Sequence, residues 1–173
     1  MDTTHRYLCK KLNTSLFIIK QIKSLSNTEI ARTAYFSCFE TQLRYGLGIW
    51  GGTTAANQKR TLVTQKKAIR VLADLHHLES CREAFKTLKI MTIVALYILE
   101  VVMYVDGEDL LKNRDTHHYN TRNGVLYNLP AHHLKLYESK PSYMGRKVYN
   151  ALPHELQPKN SQGSQTRFTE GSA

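Results

Sequence analysis

An all-α bundle of about five helices, trailed by an irregular C-terminal extension, is the fold class this sequence predicts. Apolar residues recur every three to four positions through most of the first hundred residues, the spacing of one helical face. Two Ser-x-x-Glu tetrads have the form of a helix-starting capping box. Beyond Gly107 that periodicity fades into a stretch rich in His, Asn, Tyr and Gly. At 173 residues, 42% apolar and 22% charged, the chain has ordinary globular composition and enough length for one domain with an appendage. The division expected is a helical domain over 1–106, an extension with one short helix over 107–156, and a disordered tail over 157–173.

From Arg6 to Lys23, Leu8, Leu12, Leu16, Ile19 and Ile22 lie on one face and Lys10, Lys11, Lys20 and Lys23 lie elsewhere, which makes an amphipathic first helix. Ser26-Asn27-Thr28-Glu29 then reads as a capping box that opens a second helix near Asn27. It should run to Arg44 with Tyr35, Phe36, Phe39 and Leu43 inward. Gly46, Gly48, Gly51 and Gly52 follow, a density expected to break any helix and to permit positive φ or close backbone approach. Trp50, the only tryptophan, is read as a core plug that fixes this turn.

A third helix is expected from about Ala55 to Asp74, with Leu62, Ile69, Leu72 and Ala73 toward the core. At about 100° per residue, Lys59, Lys66 and Arg70 fall on one strip, and Arg60 and Lys67 lie nearly opposite the apolar stripe. Ser80-Cys81-Arg82-Glu83 repeats the capping-box form before a short helix that carries Ala84, Phe85 and Leu88 inward. Thr92 is the expected N-cap of the next helix. Ile93 to Val105 is apolar on nearly every side, so that helix should be the most buried, with Asp106-Gly107 closing it. A last helix is expected from Ser142 to Ala151, with Pro141 at its start and Tyr143, Met144, Val148, Tyr149 and Leu152 as anchors.

Charge is unevenly placed. The chain carries a net +10 with a pI near 9.6. Residues 1–70 hold twelve Lys plus Arg against Asp2, Glu29 and Glu40, a net of +9, which leaves +1 for the rest. Basicity concentrated in a helical segment points to a phosphate-bearing partner.

The remaining chemistry is mostly exclusion. Cys9, Cys38 and Cys81 are odd in number, far apart and without a CxxC pair, which suits a reducing intracellular compartment, nucleus or cytoplasm. No secretory signal is read at the N-terminus. The apolar run from Ile90 to Val105 falls short of the roughly 20 residues that span a bilayer, so no membrane partner is expected. No triad, phosphate loop or dinucleotide fingerprint occurs. Two-metal nucleotidyl transfer needs clustered carboxylates, whereas Asp2, Asp74, Asp106, Asp109 and Asp115 are scattered, so no catalysis by this chain alone, no cofactor and no small-molecule substrate are expected. The pairs His76-His77, His117-His118 and His132-His133 lack a second Cys at finger spacing and read as surface or capping histidines, not zinc ligands. Asn13-Thr14-Ser15 fits a glycosylation sequon but falls inside a predicted helix.

The order of several short motifs resembles one family. Tyr45-Gly46, Ile49-Trp50-Gly51, Gln65-Lys66 with Ala68-Ile69-Arg70, Ser80-Cys81 with Phe85, Leu88-Lys89-Ile90-Met91-Thr92, and Leu96-Tyr97-Ile98 with Glu100 appear in succession. His117-His118-Tyr119-Asn120-Thr121-Arg122-Asn123, with His where Ser is usual at the second position, and Tyr143-Met144-Gly145 to Tyr149-Asn150-Ala151-Leu152-Pro153 continue the series. Over about residues 5–157 the chain is similar to the thumb and post-thumb region of non-LTR retrotransposon reverse transcriptases of the jockey-like, LINE type. The resemblance implies a thumb up to about Asp74, a helical bundle that holds primer and template. The palm aspartates and the endonuclease of that family have no counterpart here, so it implies a fragment whose catalytic palm and fingers belong elsewhere.

Charge and resemblance together lead to an expected function: a non-catalytic piece of an RNA-directed DNA polymerase that keeps sequence-independent binding of RNA or primer-template. The expected phosphate contacts are Lys20 and Lys23 on the first helix, Lys59, Lys66, Lys67 and Arg70 on the third, and Arg122 in the extension. The alternative class is a helical protein-interaction module without nucleic-acid binding. Its sticky surfaces would be the aromatic face of the second helix and the helix from Ile93.

Overall fold

The structure is a computed structural model; it describes residues 3–52, 54–108, 110–116, 119 and 122–156. The expected tail over 157–173 lies outside them. The fold is all-α. Helix α1 (Thr3–Leu25) lies along α5 (Ala55–Leu72), and α2 (Thr28–Ala34), a π-helical segment (Tyr35–Glu40) and α3 (Thr41–Arg44) pack across them. The turn α4 (Leu47–Trp50) and the short α6 (Arg82–Thr87) complete this layer, and α7 (Ile93–Gly107) runs beneath it. Helix α10 (Pro141–Ala151) packs along α7, joined to it by α8 (Asn113–Thr116), α9 (Lys135–Glu138) and irregular chain.

One apolar cluster holds the first layer together. Leu12 and Ile19 from α1, Tyr35 and Phe39 from the π segment, Ile69 and Leu72 from α5, and Leu96 and Val101 from α7 are fully buried. Tyr35 stacks on Phe39 with ring centroids 5.2 Å apart and meets Phe36 edge-on at 5.6 Å. The aromatic face of the second helical stretch is therefore core, with only Phe36 half-buried, and it offers no sticky surface of the kind the interaction-module alternative requires.

Several helix ends differ from expectation. Asn27, not Ser26, caps α2, because its Oδ1 accepts from the Ile30 N–H at 2.9 Å while the Ser26 hydroxyl turns back to the Ile22 carbonyl. No capping box forms before α6 either; the Cys81 side chain makes no cap bond there, and Ser80 Oγ accepts only a long bond from the Arg82 N–H. Thr92 does cap α7, accepting from Ala95 N–H. Helix α5 ends at Leu72, and Asp74 adopts a left-handed φ of 53° so that Leu75 N–H can reach back to the Arg70 carbonyl.

The glycine run does not simply end a helix. Gly46 takes a φ of 66° and redirects the chain, but α4 then forms straight through Gly48. A Cβ on Gly51 would fall on the Tyr97 ring, and one on Gly52 on the Ser139 carbonyl oxygen, so those two glycines serve close approach. Trp50 is half-buried, packs against the main cluster and donates Nε1 to the Tyr45 carbonyl at 2.9 Å, which pins the turn.

Helix α7 is not buried all round. Val94, Ile98, Leu99, Met103 and Tyr104 are exposed, because α4, α5 and α10 pack against it without surrounding it. Its C-terminal half joins a second cluster of Val102, Val105, Tyr127 and Tyr149. The Asn150 side chain receives the Tyr127 N–H and donates to the Tyr127 carbonyl, and Tyr127 Oη donates to the Val105 carbonyl. The segment after Gly107 is thus fastened by polar groups of single residues more than by regular structure.

Candidate nucleic-acid interface

Helix α5 sorts its residues by face, though not as its Leu and Ile content suggests. Asn57, Thr61, Thr64, Gln65, Ala68, Ile69 and Leu72 are buried, whereas Leu62 and Ala73 are only half-buried. The buried polar groups are satisfied. Gln65 Nε2 donates to Tyr35 Oη and to the Met91 carbonyl, and its Oε1 accepts from Ile93 N–H, each at 2.9 Å. Burial raises the Tyr35 phenol well above its ordinary value, against a smaller opposing effect from the Gln65 bond. His5 on α1 donates Nε2 to the Asn57 carbonyl at 3.0 Å and lies 3.1 Å from Thr61 Oγ1, joining α1 to the start of α5.

With that face turned inward, Lys59, Arg60 and Lys67 are exposed, and Lys66 and Arg70 are half-buried at the edge. The loop after α5 folds back along it. Arg70 Nε donates to the Glu79 carbonyl at 3.1 Å, and the Cys81 thiol donates to the Lys66 carbonyl at 3.6 Å. This brings Arg82 beside Lys66 and Arg70 around a hollow of about 440 Å³, with Ser80 and Thr92 also on its wall. Among the described residues Glu79 is the only acid lining it. Among the described residues, none of Lys59, Arg60, Lys66, Lys67, Arg70 or Arg82 is ion-paired.

The other expected contacts divide. Lys20 is exposed on α1, which lies along α5. Lys23 is committed elsewhere: its Nζ pairs with Asp74 at 2.8 Å and donates to Thr28 Oγ1 at 2.6 Å, with only 15% of the side chain exposed. It ties three helix ends together and is not a free phosphate ligand. Arg122 is exposed in the turn preceding Tyr127, in the C-terminal segment. Its neighbours His117, His118, Asn120 and Thr121 lie outside the described residues.

Arg82 is the residue that sequence reasoning missed. It stands twelve positions beyond Arg70, across a non-helical loop, so no helical projection relates the two. The only signal was its place in a Ser-x-x-Glu tetrad, which was read as a cap.

Reactive chemistry is sparse. Burial pushes the Cys9 thiol up, against a smaller opposing pull from Arg60, so it stays protonated and sits 3.7 Å from His5 Nδ1 as a weak donor. Exposed His76 and His77 contact one another with ring centroids 4.2 Å apart. Among the described residues no three His, Cys, Asp or Glu side chains gather as a metal site would require. No helix among them is long and apolar enough to cross a membrane. Comparison with protein-family models, curated proteins and solved structures yields no significant match.

Proposed function

We propose that this chain is a non-catalytic, thumb-like module that binds RNA or an RNA/DNA duplex through its phosphates, as the C-terminal part of a non-LTR RNA-directed DNA polymerase would. One observation carries the reading: exposed or rim-placed cations on α5, joined by Arg82, stand without ion-pair partners among the described residues, on a helix whose opposite face is buried. Such an array attracts a polyanion by counterion release and reads no base edge. A palm and fingers on another chain or segment would supply the chemistry.

The test is fluorescence anisotropy with an RNA/DNA hybrid over a salt series. Affinity should fall steeply with salt. The pair Lys66→Glu with Arg70→Glu should weaken binding about tenfold or more and flatten the salt slope by about two. Salt-independent binding, or affinity untouched by the charge reversal, sinks the proposal.

The exposed apolar side chains of α7 favour a second reading, a protein-interaction module. A salt-insensitive oligomer on size-exclusion chromatography with no affinity for the hybrid would support it over the first.

A further inference from the structure

A second hollow, lined by none of the residues around the first, is aromatic. The N-terminal half of α1 and the turn from Tyr45 to Trp50 enclose a cleft of about 490 Å³, within the size range of small-ligand sites. Tyr7, Tyr45, Ile49 and Trp50 are on its wall, and so is Lys11. Tyr7 is 61% exposed and Tyr45 86%, although large apolar rings gain most from being covered. Trp50 is held in place through its Nε1 bond to the Tyr45 carbonyl.

Polar features of the cleft narrow its occupant. Among the described residues no acid lines it, and the Lys11 ammonium lies 4.7 Å from the Tyr7 ring centroid, which puts a positive charge beside a ring face. His5 and Thr41 are already engaged with Asn57 and Ser37. Exposed rings for stacking and a cation with no carboxylate beside it among the described residues match a heterocycle attached to a phosphate. They do not match an aliphatic peptide side chain, which would leave the charge and the ring faces unused.

We propose that this cleft binds an unpaired nucleobase of a single strand, stacked among Tyr7, Tyr45 and Trp50, with Lys11 on the adjoining phosphate. The inference rests on the nucleic-acid reading above and gives it a second contact, one that senses strandedness where α5 senses only charge.

The only tryptophan lines the cleft, so its emission reports occupancy. An oligothymidylate of about seven nucleotides should quench Trp50 saturably. An abasic oligomer of equal length and charge should bind about tenfold more weakly and leave the emission unchanged. Tyr7→Ala and Tyr45→Ala alter exposed rings and should leave the melting temperature in place while each weakens oligothymidylate binding about fivefold or more. Equal binding of the two oligomers without quenching, or wild-type affinity in Tyr45→Ala, overturns the inference. If either occurs while the salt-dependent hybrid binding through Lys66 and Arg70 persists, only the cleft has failed. If neither nucleic acid binds, the functional reading has failed with it. A dimer dispersed by Tyr45→Ala, with no oligomer affinity, would place a second copy in the cleft and refute the nucleobase.

Discussion

Gln65 shows how much one side chain decides. In sequence it belongs to a basic run; in the fold its amide joins Tyr35, Met91 and Ile93 from separate segments. Gln65→Leu would strand a phenol, a carbonyl and an N–H in the core, and buried groups left unpaired cost about 1–3 kcal/mol each. Urea denaturation should show a loss of about 3 kcal/mol or more, without change in the exposed lysines. Tyr35 tests the same site by pH. Burial holds its phenol above the ordinary value of about 10, so the unfolded chain releases that proton first. Its stabilising contribution is complete below pH ~10 and is lost as pH rises from there toward the folded value. Tyr35→Phe should cost about 1–2 kcal/mol near neutrality and make the alkaline decline shallower, leaving a residual slope from Tyr97, whose phenol burial also raises. A pH series of chemical melts in which the two proteins decline in parallel above pH ~10 would contradict this.

Among the elements, the contact of α10 with α7 carries the sharpest constraint. A Cβ on Gly145 would fall on the Val101 carbonyl oxygen and on Val105 Cγ2, and a backbone carbonyl inside a helix has nowhere to move. Gly145→Ala should gain helix propensity of about 1 kcal/mol yet lose more by forcing the helices apart, for a net destabilisation of about 1–3 kcal/mol. Limited proteolysis should then cut first between Gly107 and Pro141, since Tyr127 and Tyr149 share the cluster that this contact closes. The period of apolar residues located α1, α5 and α10 well, and Pro141 does stand at the first turn of α10. It located caps poorly. Ser26 and Asn27 are both good N-cap residues, and the choice falls to whichever backbone φ and ψ leave a side chain facing the free N–H groups. The π segment was not legible at all: a widened turn has no composition of its own and arises where packing rewards bringing Tyr35, Phe39 and Glu40 inward together.

At the scale of the whole molecule, charge and shape separate the two proposed contacts. If Lys59, Lys66, Lys67, Arg70 and Arg82 each neutralise a phosphate, a plot of log affinity against log salt for the hybrid should have a slope of about −4 to −5. A slope near zero would mean that these cations remain solvated in the complex. Oligothymidylate binding in the cleft should be less salt-sensitive, since stacking releases few counterions. The sequence by itself determined the all-α class, the position of the long helices and the concentration of positive charge before Arg70, because periodicity and charge are properties of local order along the chain. The tertiary structure alone decided which cations stay free. Lys23 is spent on Asp74, Arg82 is brought beside Lys66 and Arg70, and Tyr7 meets Trp50 across a cleft, each through contacts between residues distant in sequence. Helical projection cannot see across a loop, and burial depends on which neighbours cover a face. Tyr45 and Val94 therefore stand exposed while the polar Gln65 lies at the centre of the core.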